Sequence, residues 1–190
     1  MMRWFGLGGT LSPEHHVVVP RPEDAAFREY AARLQSFTVC GARTMGKSSL
    51  VIYNGTQLSD VRVIRVDCDT EIGVQQDGVS WVAELSKWLG RRLRSLGVEW
   101  YHVVDRQVPT TDALLCLQTA LAAVRAAPIL LVLDEIDSLR RLPYLADIGA
   151  ALRAAREEAA WHSERRVAWG FVGLRPFNEL FEPTSAAGGV

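Results

Sequence analysis

A chain of 190 residues has room for one domain, or for one domain with a small appendage. Apolar residues make up 48% and charged residues 23%, which is typical of a globular protein with a buried core. The formal net charge is −1, so the overall charge gives no reason to expect a nucleic acid partner. No stretch approaches the roughly 20 apolar residues that cross a membrane, and the short glycine-rich N-terminus lacks the pattern of a signal peptide. We therefore expect a cytoplasmic protein without a membrane segment.

The chain contains three cysteines, which are Cys40, Cys68 and Cys116. An odd number of scattered cysteines in or beside predicted core elements indicates small buried hydrophobic side chains in a reducing compartment. No spacing among cysteine and histidine suggests a metal site of that type.

Strands and helices are predicted to alternate along the chain. Apolar and β-branched runs predict strands at residues 36–40, 61–67, 129–133 and 166–174. Stretches with helical periodicity predict helices at 22–34, 48–58, 80–96, 112–126 and 145–160, with Ser80 and either Thr110 or Thr111 as caps. Residues 68–78 and 138–143 are expected to be loops. This alternation predicts a parallel sheet with helices on both faces.

We expect residues 23–183 to form the domain, preceded by an arm at 1–22 and followed by a frayed tail at 184–190. Within the arm, residues 17–19 read as a short extended segment.

A phosphate-binding motif follows the first predicted strand. The sequence matches GxxxxGK[ST], with Gly41, Gly46, Lys47 and Ser48 at the defining positions. The glycines allow a tight turn close to an anion, and the loop N–H groups and the next helix N-terminus then face that anion. Lys47 is predicted to reach the β- and γ-phosphates, and Ser48 to ligate Mg²⁺. We expect nucleotide contacts along the whole loop: Gly41, Ala42, Arg43, Thr44, Met45, Gly46, Lys47, Ser48 and Ser49.

An acidic pair follows the third predicted strand. Residues 129–133 are all apolar, as in a strand covered on both faces, and Asp134 and Glu135 come directly after them. The carboxyl ends of such strands form the ligand-binding edge of open α/β sheets. This is a Walker B pattern, in which Asp134 holds Mg²⁺ through water. Glu135 is then the catalytic general base that activates the attacking water, with Lys47 as the second catalytic residue.

A glutamate after the Walker B aspartate is typical of P-loop NTPases that carry an additional strand between the Walker B and phosphate-loop strands. We therefore predict the sheet order second strand, third strand, fourth strand, first strand.

Taken together, these motifs resemble the AAA-like ATP-binding domain of STAND-type signalling NTPases of bacteria. The resemblance covers almost the whole chain and is carried by residues 8–11, 21–24, 42–50, 67–73, 133–139 and 171–174. The family usually has Gln where Thr44 stands. The resemblance implies a three-layer α/β/α P-loop NTPase (ASCE, AAA-like) core, with ATP and Mg²⁺ as ligands.

The sequence departs from the family after the fourth strand. Relatives place a small polar residue there to sense the γ-phosphate, and Arg175 or Asn178 is the candidate for that role here. The chain also ends soon after Phe181, so we expect the C-terminal lid and a fifth strand to be absent. The phosphate-loop strand would then be a sheet edge, covered by residues 17–19 or by a partner chain.

The resemblance implies a slow Mg²⁺-dependent ATPase that works as a nucleotide-state switch in bacterial signalling or defence, with a protein partner or self-association. The alternative is a non-catalytic nucleotide-binding docking module that needs a partner chain. Glu135 favours the first hypothesis, and the missing lid favours the second. A small-molecule kinase and a DNA loader have less support, the latter only from arginines at 91, 92, 94, 140 and 141.

Overall fold

The computed structural model describes residues 20–95, 97, 109–122, 128–161 and 166–181. The predicted arm up to residue 19 and the tail at 184–190 lie outside the described residues. So do the predicted helix ends at residues 96 and 123–126. In chain order, the elements are α1 Pro22–Ala32, β1 Phe37–Cys40, α2 Lys47–Gly55, β2 Arg62–Asp67, a π-helical turn Cys68–Ile72, α3 Gly78–Ser95, α4 Thr110–Ala122, β3 Ile129–Asp134, a 3-10 turn Ile136–Arg141, α5 Leu145–Trp161, β4 Val167–Gly173 and α6 Phe177–Leu180.

The described strands form one parallel sheet in the order β1–β4–β3–β2. The predicted sheet order and the predicted α/β class are therefore confirmed. Because every strand runs the same way, all carboxyl ends lie at one edge of the sheet. Cys40 pairs with Gly173 at that edge, and Asp67 pairs with Asp134. The predicted phosphate-binding loop and the predicted Walker B carboxylates consequently lie at the same edge of the sheet.

Two apolar clusters cover the two faces of the sheet. On one face, alternate residues of β2, β3 and β4 pack against α3, α4 and α5. On the other face, Leu130 and Val132 of β3 pack with Phe27 of α1 and with Leu50 and Val51 of α2. The strands β3 and β4 are buried along their whole length because helices cover them on both sides.

A buried polar network attaches α2 to α1. Asn54 is fully buried, and its Nδ2 donates to Asp24 Oδ1 at 2.7 Å and to the carbonyl of Leu50 at 2.9 Å. Arg28 donates to Asn54 Oδ1 at 2.7 Å. The second oxygen of Asp24 accepts the backbone N–H of Arg21 at 2.7 Å. The network therefore fixes the residue before α1 relative to the helix that the phosphate-binding loop opens.

The predicted caps of α3 and α4 are wrong. α3 begins at Gly78, and the carboxylate of Asp77 accepts the N–H of Ser80 at 2.7 Å. An ionised side chain at this position also interacts favourably with the positive end of the helix, so Asp77 serves better than Ser80. α4 begins at Thr110, so Thr110 lies inside the helix and the preceding residue is Pro109. The predicted loops at 68–78 and 138–143 contain the short π and 3-10 turns.

The prediction that all cysteines are buried is wrong for two of them. Cys68 is buried, whereas Cys40 and Cys116 are exposed. Cys40 lies on β1, an edge strand whose residues alternate between half-buried and exposed. A lone apolar residue on such a strand or on the outer side of a helix carries no periodic signal that distinguishes it from a core residue.

We expect Asn54→Ala to lower the free energy of unfolding by about 1–3 kcal/mol, because it leaves the buried Asp24 carboxylate and the Arg28 guanidinium without their amide partner. Urea denaturation measures the loss. The control is Glu29→Ala on α1, which removes an exposed ion pair with Arg33 and should cost about 0.5 kcal/mol or less. Equal losses for the two variants would contradict the role of the network.

We expect two of the three cysteines to react with an aromatic disulfide reagent in the native protein. Burial raises the pKa of the Cys68 thiol, and the carboxylates of Asp67 and Asp134 raise it further. The pKa of the Cys40 thiol is also raised, by partial burial and by the carboxylates of Asp137 and Glu179, but Cys40 is exposed to the reagent. Cys68 is both buried and poor in thiolate at pH 8, so it should react only when urea unfolds the chain. Release of three equivalents of chromophore from the native protein would contradict the placement of Cys68.

Candidate functional site

The predicted phosphate-binding loop has the shape of an anion site. Thr44 and Gly46 have φ angles of 64° and 73°, in the left-handed region. This alternation curves the backbone so that successive N–H groups can face one concave side. α2 begins at Lys47, and its first turn carries no acidic residue that would oppose an anion. At the other end of the loop, the N–H of Gly41 donates to the carbonyl of Gly173 at 3.3 Å, which joins the loop to β4.

The side chain of Lys47 folds back over this loop. Its Nζ donates to the carbonyls of Gly41 and Ala42, both at 2.9 Å. An ammonium group has three donors and moves readily between oxygen acceptors. Lys47 is therefore held beside the concave face of the loop by two neutral carbonyls, for which phosphate oxygens can substitute.

Arg21 supports the loop from behind. Its guanidinium donates to the carbonyls of Met45 at 3.0 Å and of Gly46 at 3.2 Å. The φ angle of Gly46 favours glycine, and a Cβ at this position would collide with the guanidinium of Arg21 and displace it. The sequence analysis used Arg21 only as part of the family resemblance. Its single local signal is a basic residue directly before a helix that starts with proline.

The predicted Walker B aspartate is buried, and each of its two carboxylate oxygens accepts a hydrogen bond. Asp134 Oδ1 accepts the N–H of Glu135 at 2.8 Å, and Oδ2 accepts Arg65 Nε at 2.6 Å. Alternation along β3 places Asp134 on the same face as Val132, which packs against α2. The carboxylate therefore lies on the side of the sheet that α2 covers, and Ser48 is in the first turn of that helix.

The donor set of this corner fits Mg²⁺. Ser48 supplies a hydroxyl and Asp134 a carboxylate, and Mg²⁺ usually takes one or two protein oxygens together with phosphate oxygens and water. Among the residues that the structure describes, no group of three or more His, Cys, Asp or Glu side chains could hold a metal ion. The corner thus suits a cation that arrives with a nucleotide and does not form an all-protein cage.

Glu135 enters a cleft of about 560 Å³ at the carboxyl edge of the sheet. Arg43 from the phosphate-binding loop and Arg175 after β4 line the same cleft. Glu135 has a φ angle of 52°, which costs a residue with a side chain about 1–2 kcal/mol. Asn178 lies in α6 and is not among the residues that line the cleft. Of the two sensor candidates, the position of Arg175 is the more suitable.

Asp137 ties the Walker B loop to the end of β4. Its Oδ2 accepts the N–H of Leu174, and a Cβ at Gly173 would collide with this carboxylate and with Ile136. An ion pair between Arg141 and Asp69 also joins the turns that follow β2 and β3. Neither contact is predictable from the sequence, because nothing local marks an acidic residue as the partner of a backbone group on another strand.

Comparisons with known proteins identify the fold. No protein-family profile matches the chain. The chain is 26% identical over 189 residues to an uncharacterised WD repeat-containing protein of Synechocystis sp.. The match covers 94% of this chain but only 16% of that relative.

Two solved structures of the ORC2 protein of Aeropyrum pernix are also similar. The complex with ADPNP and ADP gives a TM-score of 0.53 at 17% identity and covers 86% of this chain and 41% of ORC2. The ADP form gives 0.51 at 17% identity and covers 83% and 42%. At this identity, the likeness shows the fold alone. The chain has the P-loop NTPase fold and spans less than half the length of these proteins. No helix in the described part of the chain is long and apolar enough to cross a membrane.

Gly46→Ala should destabilise the protein more than Gly97→Ala. Both glycines have φ near 73°, so a side chain costs about 1–2 kcal/mol at either position, but open space surrounds a Cβ only at Gly97. At Gly46 the new methyl group also displaces Arg21 from two carbonyls, which adds about 1 kcal/mol.

A double-mutant cycle tests whether displacement of Arg21 causes the extra destabilisation, with the free energy of unfolding measured by urea denaturation. Arg21→Ala should cost about 1 kcal/mol in the wild type and close to nothing in the Gly46→Ala background. Equal costs of Arg21→Ala in both backgrounds would contradict the bracing contact.

Proposed function

We propose that this chain is an ATP-binding P-loop domain that uses Mg²⁺ and hydrolyses ATP slowly, as a nucleotide-state switch in bacterial signalling or defence. The observation that carries the proposal is convergence at one sheet edge. Arg43 of the loop lines a cleft together with Glu135, and the strands that lead to the loop and to Asp134 end at the same edge of the sheet.

Binding is assigned to the loop residues 41–49. The curved backbone and the α2 N-terminus supply N–H donors for the phosphates, and Lys47 exchanges its carbonyl partners for β- and γ-phosphate oxygens. Ser48 and Asp134 would hold Mg²⁺, which would neutralise charge on the phosphates. The fold shared with an ADPNP- and ADP-bound ORC2 protein supports the choice of an adenine nucleotide.

Hydrolysis is assigned to Glu135. Its carboxylate lines the cleft beside Arg43 and Arg175, so a water molecule there would meet a general base and two cations. Positioning and charge stabilisation supply most of the rate in phosphoryl transfer, and this cleft is open, so slow turnover is expected. Arg175 is the proposed γ-phosphate sensor.

The role as a switch rests on the resemblance to STAND-type NTPases and on the WD repeat-containing relative. Because the chain matches only a small part of that relative, a nucleotide module coupled to further domains is the natural proposal. The partner would be another protein or a second copy of the chain, and the cytoplasm is the proposed location.

One observation favours the second candidate, a non-catalytic nucleotide-dependent docking module. Both oxygens of Asp134 already have partners within the chain. A protein that binds nucleotide without turnover can leave this ion pair intact, and a partner chain would then complete the active site.

Lys47→Ala should weaken ATP binding by at least about tenfold, because it removes the cation that faces the phosphates. Isothermal titration calorimetry with Mg²⁺ measures the affinity. Lys87→Ala removes the same group from α3, away from the loop, and should bind ATP like the wild type. Equal affinities of the two variants would contradict the assignment of the loop.

Glu135→Gln should bind ATP with unchanged affinity and lose phosphate release by about a hundredfold or more, because an amide is not a base. Glu157→Gln on the exposed side of α5 is the control for the same chemical change. Turnover of Glu135→Gln at the wild-type rate would remove Glu135 from the mechanism. ATP binding without turnover in the wild type would favour the docking module.

A further inference from the structure

One guanidinium bridges the carboxylates at the ends of two neighbouring strands. Arg65 Nε lies 2.6 Å from Asp134 Oδ2, and its terminal nitrogen lies 3.6 Å from Asp67 Oδ2. Asp67 and Asp134 are paired across β2 and β3, so without Arg65 two carboxylates would face each other at the edge of the sheet. Arg65 therefore compensates the charge of one of these two carboxylates, and its shorter contact is with Asp134.

The contact with Asp134 is shielded from water. The Asp134 side chain is 1% exposed and the Arg65 side chain 22% exposed. Attraction between opposite charges is much stronger in such an environment than at the surface. A magnesium ion that approaches Asp134 consequently meets a carboxylate whose charge is already compensated.

The guanidinium has an alternative partner close by. The Oδ2 atom of Asp67 lies 3.6 Å from Arg65, whereas Oδ1 of the same carboxylate is occupied by the N–H groups of Asp69 and Thr70. Arg65 can thus move from Asp134 to Asp67. Its positive charge would then still face a carboxylate. The change would affect the π-helical turn after β2, because Asp67 accepts hydrogen bonds from the N–H groups of Asp69 and Thr70 in that turn.

We infer that Arg65 competes with Mg²⁺ for Asp134 and sets the Mg²⁺ concentration at which the domain takes up Mg²⁺–ATP. The inference rests on the proposed function, since it requires ATP and Mg²⁺ to bind at this corner. Arg65 is a positioning residue in this scheme, as it acts through Asp134. In the nucleotide-free protein it occupies Asp134, and with Mg²⁺–ATP bound it moves to Asp67.

The test is ATP affinity, measured by calorimetry at a series of Mg²⁺ concentrations and in EDTA, for the wild type and Arg65→Met. The Mg²⁺ concentration that gives half of the Mg²⁺-dependent gain in affinity should fall by about tenfold in the variant, because close charge pairs couple by at least that much. Arg92→Met is the control. It removes the same charge from a residue that lines, with Arg65, a second cavity between α2 and α3, separate from the cleft of Glu135. In the described part of the chain, Arg92 forms no hydrogen bond or ion pair with Asp134.

The outcomes separate the inference from the proposed function. No ATP binding by the wild type contradicts the proposed function itself. ATP binding with an equal or higher Mg²⁺ requirement in Arg65→Met contradicts the competition and leaves the proposed function standing. If Arg65→Met does not fold, Arg65→Gln decides, because glutamine removes the charge but keeps a side-chain N–H donor. Its Mg²⁺ requirement should fall in the same direction, and an unchanged value would overturn the inference.

Discussion

The structure depends on a sheet whose two central strands are buried on both faces. Burial of β3 and β4 between two helical layers requires their backbone groups to pair with neighbouring strands, and helical crossovers make those neighbours parallel. Parallel strands bring their carboxyl ends to one edge. Lys47, Asp134 and Glu135, which are separated by about half of the chain, therefore meet there.

Long-range polar contacts hold the loops at this edge of the sheet in place. Arg21 contacts two carbonyls of the predicted phosphate-binding loop, and the Asp24–Asn54 bond fixes α1, the helix that follows Arg21. Arg65 and Asp137 act in the same way on the Walker B side, by holding Asp134 and the end of β4. The proposed switch would operate through the contacts of Arg21, Arg65 and Asp137, because each joins the proposed nucleotide site to another element.

Most of the fold was predictable from the sequence, because its signals are local. The apolar run at 129–133 indicates a central strand, and GxxxxGK[ST] with an Asp–Glu pair indicates the sheet order that the structure confirms. The contacts of Arg21, Arg65 and Asp137 were not predictable. They join residues 24, 69 and 37 positions apart, and neither periodicity nor capping rules carry information over such distances.

The most direct test of the central claim is a crystal structure of the chain with ADPNP and Mg²⁺. The account predicts the β- and γ-phosphates in the concave face of the loop, with Lys47 Nζ on phosphate oxygens and no longer on the carbonyls of Gly41 and Ala42. It also predicts a Mg²⁺ ion between the hydroxyl of Ser48 and the carboxylate of Asp134. A nucleotide bound elsewhere, or a loop that stays empty with Lys47 on its two carbonyls, would contradict the account.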